Sequence, residues 1–507
     1  MATLDSFPPH SMLNETTDEH SGCYHGFFSR VEDTLITNVL RAVGTTGLAC
    51  YPVGFGCYRI NHGNEQHEAA LRSYLDRGGN LIDTSANYTD GLSETLAGYV
   101  LKDYPRERTI VVTKGGYIQG QNMALAQKHD FPEVVRYQEG LWHCIHPEFL
   151  QTQIQLSLDR MQLKKIDVYL LHNPEYFLTE KEHHAGPAPA DHEEFYRRVR
   201  EAFRFLETQV DAGIIGWYGV SSNNFGMPSS EPAMTSVSRC IEEARGLQSG
   251  HHFRVVQLPM NLFESGGALE KNNAGRTALE FCDREGIGVL VNRPLNAFYN
   301  HRLIRLADFV KPGQQPPGVE ALKEILKPLH DIEQRLHTEL QAPLAAGGNK
   351  GLAATLEEIV PELQSASHWE SVAGQHVIRP LHSWLAQCQQ RYGRDMRWQA
   401  WRQDFIKMVN PLFEDITRHL TSGEQRTSDE VRARLFEAGY PRCNESLSRM
   451  AMNVLVHLPG LNCVLNGMRR LKYVADAVGA PELPPVDALT ILQNFLRSLD
   501  TSCFVTG

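Results

Sequence analysis

Four short runs in this chain each end in a side chain able to hold or move a proton. Leu81-Ile82-Asp83 ends in an acid, and the phenol of Tyr88 follows it closely. Val111-Val112-Thr113-Lys114 ends in an amine, and Val168-Tyr169-Leu170-Leu171-His172 in an imidazole. Trp217-Tyr218-Gly219-Val220-Ser221-Ser222 ends in two hydroxyls. As consecutive strands of one parallel barrel, these runs would deliver their last side chains to a single rim. That rim, at the carboxyl ends of the strands, is where such barrels carry chemistry. An acid, a phenol, an amine and an imidazole together suit proton transfer to a carbonyl oxygen.

Burying Asp83 or Lys114 alone would be costly, so each, if buried, needs the other. A cation beside a phenol stabilises the phenolate, so Lys114 is expected to lower the pKa of Tyr88 below about 10. His172 would orient the same carbonyl oxygen. Singly, each residue also has an ordinary structural reading. Asp83 would cap a loop, Lys114 would be a solvated strand end, and Tyr88 a half-buried phenol. His172 would be a core histidine before the turn Asn173-Pro174. Their order on consecutive strand ends favours the chemical reading.

The elements that must position them follow from the hydrophobic pattern. From about residue 50 to 300, short apolar runs alternate with amphipathic stretches, as in βα units on a parallel sheet. The strands are read at Val53 to Gly56, Leu81 to Asp83, Ile110 to Lys114, Ile166 to His172, Trp217 to Ser222, Val255 to Leu258 and Gly288 to Asn292. Several are almost continuously apolar, which predicts cover on both faces. Helices are read at His67 to Leu75, Phe149 to Met161, Glu201 to Val210 and Ala278 to Arg284. An eighth strand, Asn462 to Leu465, comes far downstream and would close a barrel. The gap before it is much longer than one βα connection.

That gap reads as an inserted helical subdomain. Val319 to Leu340 and Val377 to Leu420 are helical in pattern, separated by the Gly- and Ala-rich Ala345 to Ala354. Trp369, Trp384, Trp398 and Trp401 are expected to form its own core. The divisions are a leader over 1–40, barrel strands 1 to 7 over 41–301, the insertion over 302–440, and strand 8 with C-terminal helices over 441–507. Because the insertion leaves from the rim after strand 7, it is expected to form a lid or a partner surface.

Bulk properties exclude several classes. The 507 residues carry a net charge of −11, which argues against a general nucleic-acid binder. No run has the length and apolarity of a membrane span. Met1 to Ser29 contains acids but neither Lys nor Arg, unlike a secretory or transit peptide. A flexible leader and a cytoplasmic location are therefore expected. The ten Cys show no CxxC pair, which predicts buried, reduced thiols. Trp142 to His146 reads as a loop leading into a helix, with a metal site as the lesser alternative. His183-His184 and His251-His252 read as exposed loop pairs, and Gly266-Gly267 is too short for a phosphate loop.

The strand-end segments resemble the aldo-keto reductase superfamily. The match is carried by Val53-Gly54-Phe55-Gly56 with Tyr58-Arg59, by Ile82-Asp83-Thr84 with Tyr88, Gly91 and Ser93-Glu94, and by Val112-Thr113-Lys114-Gly115-Gly116. Ser157-Leu158-Asp159-Arg160 with Leu163, the run Asp167 to Pro174, and Gly219-Val220-Ser221 complete it. It covers roughly residues 45–300 and 443–480, and neither the leader nor the insertion. The resemblance implies an α/β fold, a (β/α)8 TIM barrel, here with an inserted helical subdomain between strands 7 and 8. It implies NADPH as cofactor and no metal. Asp83, Tyr88, Lys114 and His172 match the family's catalytic tetrad. The implied reaction is hydride transfer to an aldehyde, ketone or sugar-like carbonyl, with Tyr88 protonating the oxygen.

The resemblance also implies cofactor contacts. Ser221 and Gln257 stand where the family holds the nicotinamide carboxamide, and Ser222 stands where the family has Asn. Strand 7 ends in Asn292-Arg293-Pro294-Leu295, where the family has an aromatic followed by Ser-Pro-Leu. The ring-stacking aromatic is thus replaced by Asn292, with Arg293 and Leu295 kept as cofactor candidates. Arg293 would bind the pyrophosphate or pair with a carboxylate. Gly467, Arg469 and Arg470 resemble the segment holding the adenosine phosphate, and the two cations would favour the 2′-phosphate of NADP. Asp476 would lie near the adenine. The implied partner is a small carbonyl or alcohol substrate, without nucleic acid or membrane. A protein partner or self-association through 302–440 is also envisaged. Two alternatives stand beside this reading: a non-catalytic NADPH-binding regulatory or partner-binding protein, and a Schiff-base lyase using Lys114. The spacing of Asp83 and Tyr88 speaks against the lyase.

Overall fold

Eight short strands, all parallel, pair side by side until the last meets the first. They are β1 (Val53–Gly56), β2 (Leu81–Asp83), β3 (Ile110–Gly115), β4 (Ile166–His172), β5 (Ile215–Ser221), β6 (Phe253–Pro259), β7 (Gly288–Asn292) and β8 (Cys463–Gly467). Val464 of β8 lies opposite Val53 of β1, which closes the barrel. The computed structural model describes residues 40–183, 186–300, 302–309, 319–342, 350–363, 368–369 and 372–500. The expected leader, apart from Leu40, lies outside the described residues, as does His184.

Alternation along the strands sorts the side chains into two cores. Leu81, Ile110, Val112, Val168, Leu170, Val255, Leu290, Cys463 and Leu465 cluster inside the barrel with Val43 and Cys50. The residues of opposite parity, such as Ile82, Val111, Tyr169, Leu171, Val256 and Val291, join the helices in a larger outer cluster. This is the period-two geometry of a strand buried on both faces. Gly54 has inward parity, and a Cβ there would stand 2.8 Å from Leu465 and 2.9 Å from Leu81. Only glycine leaves the interior side chains room.

The outer helices are α1 (Glu65–Asp76), α2 (Leu92–Leu101), α3 (Pro147–Met161), α4 (Pro189–Asp211), α5 (Val237–Leu247), α6 (Ala278–Glu285), α7 (Leu447–Val456) and α8 (Leu471–Val478). Their ends have local causes. Asn64 caps α1 by accepting from the Gln66 and His67 amides. Thr277 and Glu280 cap α6 reciprocally, and Gly286 at φ 66° ends it. α4 starts well before the expected Glu201, because Phe195 and Val199 extend the buried stripe of Phe203 and Leu206 upstream.

Two local expectations are corrected. Leu141–His143 is the central strand of a small antiparallel sheet with Tyr117–Ile118 and Val135–Gln138, not a loop. His251 is buried, and His252 bonds Glu207 of α4 through its amide (2.8 Å) and Nδ1 (2.7 Å), so this pair is not exposed loop. The stretch Val377 to Leu420 is helical as expected, divided between two helices, Arg379–Tyr392 and Met396–Glu437. They are separated near Gly393, and Asp395 accepts from the Arg397 amide at 2.8 Å to start the second. A hairpin after β7, Asn296–Tyr299 with Arg302–Arg305, also carried no strand signal.

The described residues fall into two compact units. Residues 40–307 and 431–500 form the barrel unit, and 308–430 the other, whose boundary lies within the helix Met396–Glu437. The second unit has its own apolar cluster, including Leu329, Leu356, Trp369, Trp398, Trp401 and Phe405. Trp398 stacks on Trp401 at 5.3 Å, and the Trp401 Nε1–H donates to the Ile332 carbonyl at 2.6 Å. Eight cysteines lie among the described residues, none in a disulfide, and all but Cys443 are buried. No described helix is long and apolar enough to cross a membrane.

Candidate active site

Inward parity carries each strand's interior row to a polar terminus. Leu81 leads to Asp83, Val112 to Lys114, Leu170 to His172, Gly219 to Ser221, Val255 to Gln257 and Leu290 to Asn292. The apolar interior thus ends in a polar layer at the carboxyl rim.

Lys114 is the centre of that layer. Its Nζ donates at 2.8 Å to the Asp83 carboxylate and at 2.8 Å to the Thr84 carbonyl, and lies 3.4 Å from the Tyr88 hydroxyl. Lys114 is 0% and Asp83 3% exposed. The ammonium therefore spends its donors on protein acceptors, as a buried cation must. Burial pushes the Asp83 carboxyl up, against the opposing pull of Lys114 and a Gln257 N–H.

Tyr88 reaches the rim through a tight return. Thr89 (φ 46°), Asp90 (φ 56°) and Gly91 (φ 87°) are left-handed in succession. The Thr89 hydroxyl donates to the Ile60 carbonyl at 2.7 Å, and Asp90 accepts from the Gln121 amide at 3.0 Å. These bonds hold a backbone that Thr and Asp adopt at a cost. The phenol ring meets Tyr58 edge-on at 5.2 Å and His172 at 5.8 Å. The expected lowering of the Tyr88 pKa is overturned. Desolvation and the negative Asp83 push it well above the usual phenol value. Lys114 does not reverse this, because its charge is matched by Asp83 at closer range.

The strand end at His172 is held from several sides. Its Nδ1 lies 2.9 Å from the Ser85 hydroxyl, and its carbonyl accepts from His143 Nε2 at 2.6 Å. Nε2 is left without a protein partner among the described residues. Burial, then the charge of Lys114, holds the imidazole well below its usual pKa, so it is neutral near pH 7.

A second set of bonds runs from Asp83 across the barrel. Gln257, fully buried, donates from Nε2 to Asp83 at 2.8 Å. Its Oε1 accepts from the Ser221 hydroxyl at 3.1 Å and from Asn292 Nδ2 at 3.1 Å. Asp83, Tyr88, Lys114, His172, Ser221 and Gln257 are therefore gathered at one rim.

The remaining candidates lie outside that network. Ser222 has outward parity; its hydroxyl pairs with Thr235 at 2.7 Å and accepts from the Asn224 amide. Arg293 (φ 55°) reaches Glu264 at 3.2 Å, the carboxylate pairing weighed for it. Leu295 is partly buried against the outer core. Gly467 is exposed at the end of β8, and Arg469 and Arg470 are half-buried where α8 begins; burial first, and then their charges, lower the pKa of His67 on α1. Asp476 accepts from the Ser446 hydroxyl at 2.6 Å and from Ser448, which ties α8 to the start of α7. The sequence reading placed Asn292 at the strand end without a contact of its own, and it missed Ser85, which nothing local marks. A cavity of about 460 Å³ lies elsewhere in the barrel unit, lined by Phe131, Trp142, Phe177 and Arg136 among others, and touches none of these residues.

The Aldo/keto reductase family matches residues 52–341, more than half of the chain. The chain belongs to the aldo/keto reductase family. Among its relatives, an NADH-specific methylglyoxal reductase from Escherichia coli (strain K12) is 29% identical over 26% of this chain and 40% of its own length. An L-galactose dehydrogenase from Arabidopsis thaliana is 32% identical over 27% of this chain and 39% of its own. The chain thus spans about two fifths of the length of these curated relatives. A glycerol dehydrogenase from Gluconobacter oxydans superposes with a TM-score of 0.48 at 15% identity, covering 92% of this chain and 98% of that one. The family binds nicotinamide cofactors, and the end of β7 fits such a group. Asn292 Oδ1, an acceptor, and Arg293 Nε, a donor, are both buried without a protein partner.

Proposed function

We propose that this protein reduces an aldehyde, ketone or sugar-like carbonyl to an alcohol with NADPH, Tyr88 acting as general acid. One observation carries the reading: the Lys114 ammonium lies 2.8 Å from Asp83 and 3.4 Å from the Tyr88 hydroxyl at the barrel rim. When bound, the dinucleotide supplies a hydride to the carbonyl carbon. Tyr88 gives its proton to the oxygen as negative charge builds there. Its raised pKa keeps the phenol protonated until then, and an alkoxide is still the stronger base. Lys114 stabilises the phenolate left behind, Asp83 holds Lys114 in place, and His172 Nε2 orients the carbonyl oxygen.

Arg469 and Arg470 support NADPH over NADH, in contrast to the NADH-specific relative from Escherichia coli. The names of the relatives support small sugar-like substrates, and the buried thiols support a cytoplasmic setting. The helical unit, with a core of its own, is assigned to a protein partner or to self-association. The second reading, a non-catalytic NADPH-binding protein, is favoured by Asn292 at the place of the ring-stacking aromatic. Tyr88→Phe separates the two. It should lower NADPH-dependent reduction of a carbonyl panel by about 10²–10⁴-fold while the dissociation constant for NADPH changes less than about twofold. Unchanged turnover in that variant would overturn the role of Tyr88, and absent turnover in the wild type despite NADPH binding would establish the second reading.

A further inference from the structure

The end of β7 contains an acceptor whose orientation is dictated from across the barrel. Gln257 must present Nε2 to Asp83, because the reverse orientation would set its oxygen against a carboxylate 2.8 Å away. Its Oε1 therefore faces Ser221 and Asn292 and takes a donor from each. Asn292 in turn must present Nδ2 to Gln257. Its Oδ1 is then the end left over, and it is buried without a partner. An amide could normally flip to suit its surroundings. Here the charge on Asp83 fixes both amides in sequence.

A buried carbonyl oxygen without a donor costs free energy until something supplies one. The site needs an N–H or O–H at the end of β7, two hydrogen bonds from Asp83. Both lone-pair positions of Gln257 Oε1 are filled, so that amide cannot accept further. We propose that Asn292 Oδ1 accepts a hydrogen bond from the amino group of the nicotinamide carboxamide. This chain would then hold the ring by an amide-to-amide bond where the family has a stacking aromatic. The inference rests on the dinucleotide reading above and deepens it. It makes Asn292 a cofactor-binding residue that distinguishes carboxamide rings from rings lacking the N–H, and links ring placement to Asp83 through Gln257.

The test uses the full chain and two ligands: NADP and its 3-acetylpyridine analogue, in which a methyl ketone replaces the carboxamide. The analogue keeps the carbonyl and loses only the N–H donor. Dissociation constants come from quenching of tryptophan fluorescence, with no turnover required. The wild type should bind the analogue roughly 5- to 10-fold more weakly than NADP, the worth of one buried hydrogen bond. In Asn292→Leu, NADP affinity should fall to that of the analogue, whose own affinity stays within about twofold, so the discrimination disappears. Val291→Ala, next to Asn292 on β7 but packed in the outer cluster, should keep the discrimination, which separates loss of the Oδ1 acceptor from general disturbance of β7. Equal binding of both ligands by the wild type overturns the proposal, whether or not the Leu variant folds. Undiminished discrimination in a folded Asn292→Leu overturns it as well. If the wild type binds neither ligand, the dinucleotide reading itself fails, and this inference with it.

Discussion

Two neutral histidines, His172 in the candidate proton-transfer layer and His143 behind it, have a measurable consequence for stability. His143 donates from Nε2 to the His172 carbonyl, and burial holds its pKa at about 4. In the unfolded chain it titrates near about 6.5. Between those values the unfolded state binds the proton and the folded state does not, so stability falls with falling pH. The contribution is complete above about pH 6.5 and is lost as pH drops through about 4. It amounts to about 3 kcal/mol for His143, and His172 shifts in the same direction. Urea midpoints should therefore drop from pH 7 to pH 5. The drop should be smaller in His143→Gln, which keeps a donor but cannot charge. An equal drop in the variant would place the acid sensitivity elsewhere. At this scale the sequence showed which residues stand at strand ends but not their ionisation. Lys114 beside Tyr88 suggested a more acidic phenol. The structure reverses that, because Asp83 has already claimed the ammonium.

At the scale of elements, the legible parts were those whose pattern is local. Alternation and flanking turns mark β4 and β7 residue for residue, since a strand buried on both faces is simply an apolar run with abrupt ends. The short strand Leu141–His143 was read as loop, because its pairing with Tyr117–Ile118 and Val135–Gln138 leaves little periodic trace in so few residues. Helix starts depend on such non-local partners too. The helix Gly351–Ile359 has no side-chain cap of its own. Glu333, from the helix Val319–Leu340, accepts from the Leu352 amide at 2.6 Å and from the Ala353 amide. A carboxylate there answers two orphan amides and the positive end of the helix. Glu333→Ala should lower the stability of the helical unit by about 1–2 kcal/mol, read as an earlier loss of far-ultraviolet helical signal on heating. Glu333→Gln should recover part of it. No shift in the Ala variant would show that water replaces the cap without cost.

At the scale of the whole molecule, the described residues form two units, each with its own apolar packing. All eight strands and the rim residues lie in 40–307 and 431–500, and the clustered tryptophans lie in 308–430. Replacing residues 310–430 with a flexible linker should leave NADPH affinity within about threefold, while a self-associated wild type should become monomeric in sedimentation. Retained association in the shortened chain would remove the helical unit from that role.

The amino-acid sequence by itself determined the parallel barrel and the positions of Asp83, Lys114 and His172, because strand period and strand ends are local properties of a chain. Only the tertiary structure decided what these groups do to one another. The bond from Gln257 to Asp83 joins residues 174 positions apart, and through it the charge of one carboxylate orients Asn292 on the far side of the barrel. Hydrogen-bond direction, burial and pKa depend on which groups barrel closure brings within 3 Å or so, and no spacing along the chain encodes that.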